Sequence, residues 1–529
     1  MGVQPTPRSV RLCGEAVERL ADVPRALTGL GLQVQIERTE TIRDTYLDTA
    51  DWWLYRAGTA CRVRRTAEGN SLAIEPLSPE RIAPTTGFEL EEELARSPGR
   101  ARHTIPGRRL AGWLRSTMGD APVQERLEAQ RERTTYRCKA DRLELYVAAD
   151  RVCLAGPGGQ GRLAEVEVTL LSGLVRQFKD AWEKLAAQCS LRPCSQPTLC
   201  RGLALVGAAP TTLAEDDSLK LRPDDRAVDA AYRVLRRHFG RMLWNEPGTR
   251  LGLDPEYLHD MRVATRRMRA ALRLFRGTLP PGRVTVLRRE LRWLGNALGR
   301  VRDLDVYLMS LTAAAGHLPA GMRDGLDVYL NHVRTSRGQA RRAMLRALST
   351  KRYAQLVQSL ERFLTAGPPH EPARAVAARP LPRVARKLVR TRLKRVLQEG
   401  RAAGRKSTDE ELHRLRIRCK RLRYACEFFQ DVYGAPSREF ARRVRRLQDL
   451  LGLHQDAVVA SRALGEFVTA DSPPTANSSD ARGAVDALRE HYAEQARVAR
   501  RRFFAAWREF NRKKVRSPLK QRLDRLLDS

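Results

Sequence analysis

Residues 412–429 read LHRLRIRCKRLRYACEFF, and residues 258–275 read LHDMRVATRRMRAALRLF, so the two segments align without a gap. Downstream of each, LGNALGRVRDLDV (294–306) aligns in the same way with LQDLLGLHQDAVV (447–459). A repeat of this length indicates two copies of one helical unit. Because a single unit has a face that it cannot bury alone, we expect the copies to pack together with a pseudo-twofold relation.

The repeated segment separates into three faces when it is placed on a helix at about 100° per residue. The first face is an apolar stripe, which must face the helical bundle. The second is a row of cationic or protonatable residues, here called the cationic stripe. The third face, with Arg414, Arg418 and Arg421, lies apart from both and is not kept, since Asp260 and Ala264 replace its first two arginines. The apolar stripes comprise Leu258, Met261, Thr265, Met268, Leu272 and Phe275, and Leu412, Leu415, Cys419, Leu422, Cys426 and Phe429; the cationic stripes comprise His259, Arg262, Arg266 and Arg269, and His413, Arg416, Lys420 and Arg423.

The cationic stripe keeps its chemistry in both copies, whereas a basic face needed only for solvation should drift. Cations three and four positions apart repel each other on a helix by roughly 0.2–0.5 kcal/mol per pair, and an external polyanion would remove that repulsion. Arginine offers planar forks to phosphate oxygens, and lysine adds a compact charge. His259 and His413 could become donors when a bound anion raises their pKa; a structural role at the helix start is an equally open interpretation.

Composition and charge narrow the class of partner. The formal net charge is +36, of which +33 falls in residues 216–529 and only +3 in residues 1–215. A strongly basic chain indicates an anionic partner. Readers of nucleic acid usually add stacking aromatics or a known module, but only 6% of the residues are aromatic and no such module is present. We therefore expect phosphate without bases, and do not expect nucleic acid, as the main partner.

The nine cysteines are scattered without a C-x-x-C pair, which suits a reducing compartment better than a disulfide framework or a zinc site. No apolar run approaches the ~20 residues that span a bilayer, and the N-terminus lacks the apolar core of a signal peptide. The sequence therefore predicts a soluble protein of the cytoplasm.

The duplicated pattern L-H-x-x-R-[IV]-x-x-[RK]-[RK]-x-R, followed by L-G-x-x-R-D-x-D-V, strongly resembles the CHAD family over about residues 219–515. The resemblance implies a two-lobed helical bundle whose basic channel binds inorganic polyphosphate, often at polyphosphate granules. It also implies that both cationic stripes contact the ligand, with Arg292 and Arg445 as repeat-related candidates. Asp303 and Asp456 match between the copies, and we expect them to orient an arginine rather than bind a cation.

Residues 1–207 alternate in polarity between turns, which predicts an α+β domain. The segments YLDTADWWLYRAGTACRVRR (46–65), FELEEEL (88–94), EVEVTLLSG (165–173) and CRGLAL (200–205) resemble the CYTH, or triphosphate tunnel, family. That resemblance implies an antiparallel β-tunnel in which carboxylates hold Mg²⁺ or Mn²⁺ and basic residues hold tripolyphosphate. The candidates are Arg62 and Arg64 for phosphate, Glu89, Glu91, Glu165 and Glu167 for metal, and Glu165 and Glu167 as weak catalytic candidates.

Several positions depart from the tunnel pattern. The family opens with E-x-E-x-K, but residues 8–16 read RSVRLCGEA, with no carboxylate before Glu15. The lysine expected after the arginine strand is absent from residues 72–76, and Pro197-Thr198 replaces Ser-Lys ahead of Arg201. Since hydrolysis needs enough carboxylates to hold the metal, we interpret this domain as a degenerate tunnel. The surviving alternation could equally be the polar face of a strand.

The leading hypothesis is therefore a polyphosphate-binding protein, and the sequence leans against enzymatic activity without deciding the point. A divalent-metal-dependent inorganic triphosphatase is the alternative, and RNA or acidic-membrane binding through the basic segment near residues 500–516 is a weaker one. The predicted organisation is a degenerate tunnel domain over residues 1–207, a linker over 208–218, an all-α domain over 219–515 with repeats at about 219–365 and 380–515, and a basic tail over 516–529.

Overall fold

The computed structural model describes residues 9–77, 91–94, 105–118, 121–194, 196–210, 220–316, 318–404, 406–469 and 479–525. These described residues divide into two compact units. The first lies within Met1–Thr211 and Asn245–Tyr257 and is called the sheet unit; the second lies within Thr212–Trp244 and Leu258–Ser529 and is called the helical unit.

The sheet unit is built on one antiparallel sheet with short helices. Its strands are β1 (Ser9–Gly14), β2 (Gln33–Thr49), β3 (Thr59–Arg65), β4 (Asn70–Pro76), β5 (Glu91–Leu94), β6 (Val123–Ala140), β7 (Leu143–Gly156), β8 (Gly159–Gly173) and β9 (Arg192–Pro193). A 3-10 helix covers Val17–Asp22, and the α-helices are α1 (Val23–Gly29), α2 (Trp53–Arg56), α3 (Arg109–Met118), α4 (Val175–Gln188) and α5 (Thr198–Leu205).

The nine strands hydrogen-bond in the order β5-β4-β3-β2-β6-β7-β8-β1-β9, and the paired strands are antiparallel. One face carries Leu145, Val147 and Val166, which pack in an apolar cluster with Phe178 and Leu185 of α4. The opposite face is apolar only in part, because buried charged residues interrupt it. This mixed face is where the sequence places the tunnel candidates.

The helical unit contains the remaining elements. They are α6 (Ala227–Leu251), α7 (Pro255–Leu274), α8 (Pro281–Ala315), α9 (Ala320–Leu348), α10 (Lys351–Thr365), α11 (Ala375–Ala378), α12 (Leu381–Ala402), α13 (Asp409–Phe428), α14 (Gln430–Tyr433), α15 (Ala435–Thr469), α16 (Ser479–Phe510) and α17 (Lys513–Arg525), where α6 and α7 extend over residues that group with the sheet unit.

The repeated segments form helices of matching length: α7 and α13 have 20 residues each, and α8 and α15 have 35 each. A capping box stands at the start of helix α13. The Thr408 side chain accepts a hydrogen bond from the Glu411 backbone N–H, and the Glu411 side chain accepts one from the Thr408 backbone N–H. Every member of both predicted apolar stripes is buried, which confirms that this face packs into the bundle core.

The predicted fold class is confirmed, since an antiparallel-sheet α+β unit precedes a helical region. The described part of the predicted basic tail lies in α17. Helix α17 buries Leu519 in the helical core, and Asp524 pairs with Arg390 at 2.7 Å. The apolar residues of this helix therefore make it part of the bundle.

Candidate functional site

The two cationic stripes converge on one cavity of the helical unit. Arg262 and Arg266 on α7 line a cavity of about 1290 Å³ together with His413, Arg416 and Lys420 on α13. The convergence follows from the apolar stripes, because burying the neighbouring face of each helix in a shared core aims both cationic faces at the space between the copies. The site is therefore built from both repeats.

A second cavity, of about 570 Å³, shares Arg262, Arg266 and Lys420 with the first and adds Arg269. A third, of about 490 Å³, shares Arg269 with the second and adds Arg292 on α8. The three cavities thus adjoin one another along shared cationic side chains, and this cation-lined path is here called the stripe cavities. Of the predicted binding residues, the structure brings Arg262, Arg266, Arg269, Arg292, His413, Arg416 and Lys420 to this path.

His259, Arg423 and Arg445 do not line the stripe cavities. The Arg423 side chain is about 10% exposed and pairs with Glu427 at 3.2 Å. Arg445 pairs with the same carboxylate at 3.2 Å, and Arg267 pairs with it at 2.8 Å. The single carboxylate of Glu427 therefore gathers arginines from α7, α13 and α15 outside the path.

The second repeated motif supplies residues that lie next to the arginines of the cationic stripes. Arg262 Nη2 donates to Asp303 at 2.8 Å, as predicted for an arginine-orienting carboxylate. A Cβ built at Gly299 would lie 3.4 Å from Arg262 Nε, and one at Gly452 would lie 3.6 Å from Arg416 Nε. Arg262 and Arg416 thus each lie against the helix surface beside a glycine. The bond to Asp303 holds the Arg262 guanidinium in place before any ligand binds.

Asp456, the repeat mate of Asp303, lies in the largest stripe cavity. Burial raises its pKa, and the charge of Asp303 raises it further, whereas Arg416 and Arg262 lower it. The charges of the two carboxylates therefore interact across the repeats. Together they are the acidic residues among the described lining of the stripe cavities, against a larger number of cations.

Lys420 lines two of the three stripe cavities. Burial, together with the charges of Arg266, Arg416, Arg262 and Arg423 in that order of effect, lowers its pKa from about 10.5 to about 7. Lys420 shares its cavities with arginines of both repeats, including Arg262 and Arg416. Two buried polar atoms beside it, Arg266 Nε and His413 Nδ1, have no hydrogen-bond partner among the described residues. Such groups are favourable to an incoming anion.

The depressed pKa of Lys420 predicts that its charge destabilises the ligand-free fold. Below about pH 7 the ammonium is charged in both states and its full cost is present. Between about pH 7 and 10.5 the unfolded chain binds more protons than the folded one, so stability rises with pH. We expect Lys420→Met, which keeps the side-chain length, to raise the midpoint of thermal unfolding at pH 6 by at least roughly 2–4 °C.

The advantage of Lys420→Met over the wild type should shrink as the pH approaches 10. Thermal unfolding followed by circular dichroism at pH 6, 8 and 10 measures it. Lys394→Met is the matched control, because Lys394 is exposed on α12 and lines none of the stripe cavities. Superimposable curves for Lys420→Met and the wild type at all three pH values would show that the buried charge costs nothing.

Several cavity residues lie outside the sequence prediction. Arg300 and Arg346 line the largest stripe cavity, Arg273 and Arg392 line the second, and Arg421 lines the second and third. Arg421 belongs to the third face, so the expectation that this face lies apart from the cationic stripe is wrong at this residue. The reason is that α8 and α12 complete the walls, and a helical wheel contains no information about neighbouring helices.

Charged residues also meet inside the sheet unit, but there they neutralise one another. Asp44 on β2 accepts from Arg64 Nε at 2.8 Å, from Arg131 Nε at 2.9 Å and from Arg62 Nη1 at 3.2 Å. The Asp44 side chain is fully buried. Burial raises its pKa, but the bonds and charges of the three arginines hold it well below its usual range. Both predicted phosphate-binding residues, Arg62 and Arg64, are therefore already paired.

The network continues across β6, β7 and β8. Arg131 Nη1 donates to Glu165 at 2.6 Å and to Asp150 at 3.2 Å. Arg133 Nε donates to Asp150 at 2.7 Å, and Arg201 of α5 pairs with Glu165. Although burial opposes it, the field of Arg131 and Arg201 lowers the pKa of Glu165 to about 2. Cations and carboxylates thus alternate across the strands and satisfy each other.

The other predicted metal ligands do not complete a site. Glu167 accepts from Ser9 at 3.0 Å, and the exposed Glu91 accepts from Ser71 at 2.9 Å; Glu89 lies outside the described residues. On β1, Arg11 stands opposite Glu167 and Cys13 opposite Glu165.

No group of three or more His, Cys, Asp or Glu side chains suited to a metal is found within the described ranges. A divalent cation prefers several oxygen ligands that are not held by cations. Glu165 and Asp150 are instead bonded to arginines, and β1 adds no carboxylate beside them. The described residues of this face do not fit Mg²⁺ or Mn²⁺.

Comparison with known proteins supplies the family of the helical unit. The CHAD domain model matches residues 233–465, a range that contains both cationic stripes. This part of the chain is a CHAD domain. Two uncharacterized proteins of Mycobacterium tuberculosis are each 32% identical to the chain over 218 residues, which is 39% of this chain and 39% of each relative. The chain therefore spans about two fifths of the curated relatives it matches.

Solved structures are similar to each part. The crystal structure of the CHAD domain from the plant Ricinus communis is 29% identical, with a TM-score of 0.46, over 57% of this chain and 96% of that one. A putative adenylyl cyclase from Hippeastrum, described as having a dominant triphosphatase activity, is 16% identical, with a TM-score of 0.24, over 41% of this chain and 97% of that one. Among the described helices, none is long and apolar enough to cross a membrane.

Proposed function

We propose that the CHAD domain binds inorganic polyphosphate in the stripe cavities. The observation that carries the proposal is that Lys420 shares its cavity with Arg262 and Arg266 of the other repeat. Cations held this close, with few carboxylates among them, are stabilised when an external anion neutralises them. Arginine forks suit the oxygens of a phosphate chain, and the connected path suits a ligand that is long and repetitive.

The aromatic residues favour a ligand without bases. Phe503, Trp507 and Phe510, in the basic segment that offered the weaker RNA or membrane alternative, are buried in the helical core. Base stacking needs exposed aromatic faces. Three of the four aromatic residues between positions 500 and 516 therefore cannot stack on bases, which favours polyphosphate as the partner.

A titration across salt concentrations tests the proposal directly. Each phosphate contact releases condensed counterions, so the logarithm of the affinity for long-chain polyphosphate should fall linearly and steeply with the logarithm of salt, by about 0.7–0.9 per contact. Fluorescence anisotropy with labelled polyphosphate, competed by unlabelled RNA at equal phosphate concentration, measures both quantities. An affinity that is independent of salt, or RNA that displaces polyphosphate on equal terms, would contradict the proposal.

We infer that the sheet unit takes part without hydrolysing phosphate, as a degenerate tunnel that assists capture, docks a partner or acts as a scaffold. Supporting this, Glu165 and Asp150 are engaged by arginines. We expect tripolyphosphate incubated with the full chain and Mg²⁺ or Mn²⁺ to release no more phosphate than a protein-free blank. The measurement is a colorimetric phosphate assay, and release that disappears in Glu165→Ala would instead establish the triphosphatase alternative.

The cellular place of the protein follows from its proposed ligand. A polyphosphate-binding domain would act where the polymer accumulates, so we propose a cytoplasmic protein that associates with polyphosphate granules. Co-sedimentation of the protein with granules, reduced by substitution of the cationic stripe, would support this placement.

A further inference from the structure

A fourth cavity, of about 540 Å³, lies beside α12 and is here called the α12 cavity. Its described lining contains basic side chains from α7, α12 and α13 and no Asp or Glu. The basic lining residues are Arg273, Arg276, Arg379, Arg383, Lys387, Arg392, Arg395, Arg418 and Arg421. Only Arg418 and Arg421 are assigned to a face of the repeated segment, the third face. The other basic residues of this cavity belong to none of the three faces.

The α12 cavity adjoins the stripe cavities. It shares Arg273, Arg392 and Arg421 with the second stripe cavity, which in turn shares Lys420 and Arg262 with the largest one. The cations of α12 are therefore the next ones that a ligand extending from the stripes past Arg421 would meet.

The cations of the α12 cavity are poorly balanced by the protein. Burial, together with the charges of Arg395, Arg421 and Arg276, lowers the pKa of Arg392 to about 10. Arg421 Nε is buried without a hydrogen-bond partner among the described residues. The nearby carboxylate of Glu399 is bonded to Arg418 at 2.6 Å. The imbalance resembles that around Lys420.

The two copies differ at this surface. At the register that aligns the repeats, Arg379 and Arg383 correspond to Asp225 and Asp229. Asp229 pairs with Arg226 at 2.7 Å, and Asp225 pairs with Arg233 at 3.3 Å. The first copy keeps arginines at the positions of Lys387, Arg395 and Arg421, but it has carboxylates in place of the two arginines near the start of α12, so the second copy has the larger excess of cations here.

We propose that the α12 cavity is an extension of the polyphosphate path, occupied only by chains long enough to pass beyond the cationic stripes. The proposal rests on the proposed function of the stripe cavities. It makes the domain selective for chain length, because a short anion bound at Lys420 leaves the cations of α12 unneutralised, whereas a long chain gains their contacts as well. It also gives the bound chain one preferred side from which to extend.

The test compares two double variants of the full chain against long-chain polyphosphate and tripolyphosphate. Arg383→Ser with Lys387→Ser removes two cations of the α12 cavity. Lys394→Ser with Arg401→Ser removes two from the same helix that line neither the α12 cavity nor the stripe cavities. We expect the first pair to weaken long-chain binding about tenfold and to reduce the salt slope by about 2, and the control to change neither.

Tripolyphosphate should bind the Arg383/Lys387 variant as it binds the wild type. An equal loss for both ligands, or equal behaviour of the two double variants, would overturn the extension while leaving the stripe site standing. Failure of the wild type to bind long-chain polyphosphate would overturn the proposed function itself, so the two failures are distinguishable. Circular dichroism confirms folding, and both substituted residues are exposed, so the variants should fold.

Discussion

Charge reversal at Arg416 and Lys420, as Arg416→Glu with Lys420→Glu, is expected to reduce the affinity for long-chain polyphosphate by at least about a hundredfold. Each residue would lose a charge-assisted contact of about 1.5–3 kcal/mol, and about 1.4 kcal/mol corresponds to tenfold in Kd. The new carboxylates would also repel the ligand inside a cavity where charges are poorly screened. Anisotropy titration at fixed salt measures the change.

A control with the same net charge separates the site from the overall field of the protein. Arg414→Glu with Arg442→Glu reverses two cations whose side chains are 63% and 75% exposed and which lie outside the stripe cavities. These positions make only surface ion pairs, which contribute little, so we expect a change of less than about fivefold through the long-range field. Comparable losses in both double variants would remove the stripe cavities from consideration.

Substitution of Asp44 by alanine is expected to destabilise the sheet unit by about 3–5 kcal/mol. The change removes the carboxylate shared by Arg62, Arg64 and Arg131 and leaves buried guanidinium groups without compensation. Hydrogen exchange read by mass spectrometry can follow this loss in the full chain. Protection should fall in peptides from β2, β6 and β7, while peptides from α13 keep their protection.

Asp51→Ala provides the comparison for Asp44→Ala. Asp51 is 64% exposed and pairs with Arg56 at 2.8 Å, so its loss should cost less than about 1 kcal/mol. The pH dependence has a defined sign. Because the folded pKa of Asp44 lies below its ordinary value of about 3.8, its contribution is complete above that pH and is lost as the pH falls towards the folded value. Equal exchange in Asp44→Ala and Asp51→Ala would refute the shared role of Asp44.

Some long strands of the sheet unit could not be recognised from the sequence because they contain many charged residues. Strand β6 reads VQERLEAQRERTTYRCKA, and its charged residues obscure the alternation that marks a half-buried strand. The structure explains the charges, since Arg131 and Arg133 face carboxylates of adjacent strands rather than water. Pairing between strands distant in sequence cannot be deduced from local periodicity, so neither this strand nor the neutralised network was predictable in detail.

The sequence alone established the repeat, the burial of Leu415 and Met261 with the rest of the apolar stripes, and the cationic face beside them, because helical periodicity assigns side chains to faces without reference to other elements. Only the tertiary structure decided that Lys420 meets Arg262 and Arg266 in one cavity, that Glu427 withdraws Arg423 from it, and that Arg421 joins it. The physical reason is that a cavity is formed by surfaces of several packed helices, and the strength of its field depends on distances and burial that one helix cannot define.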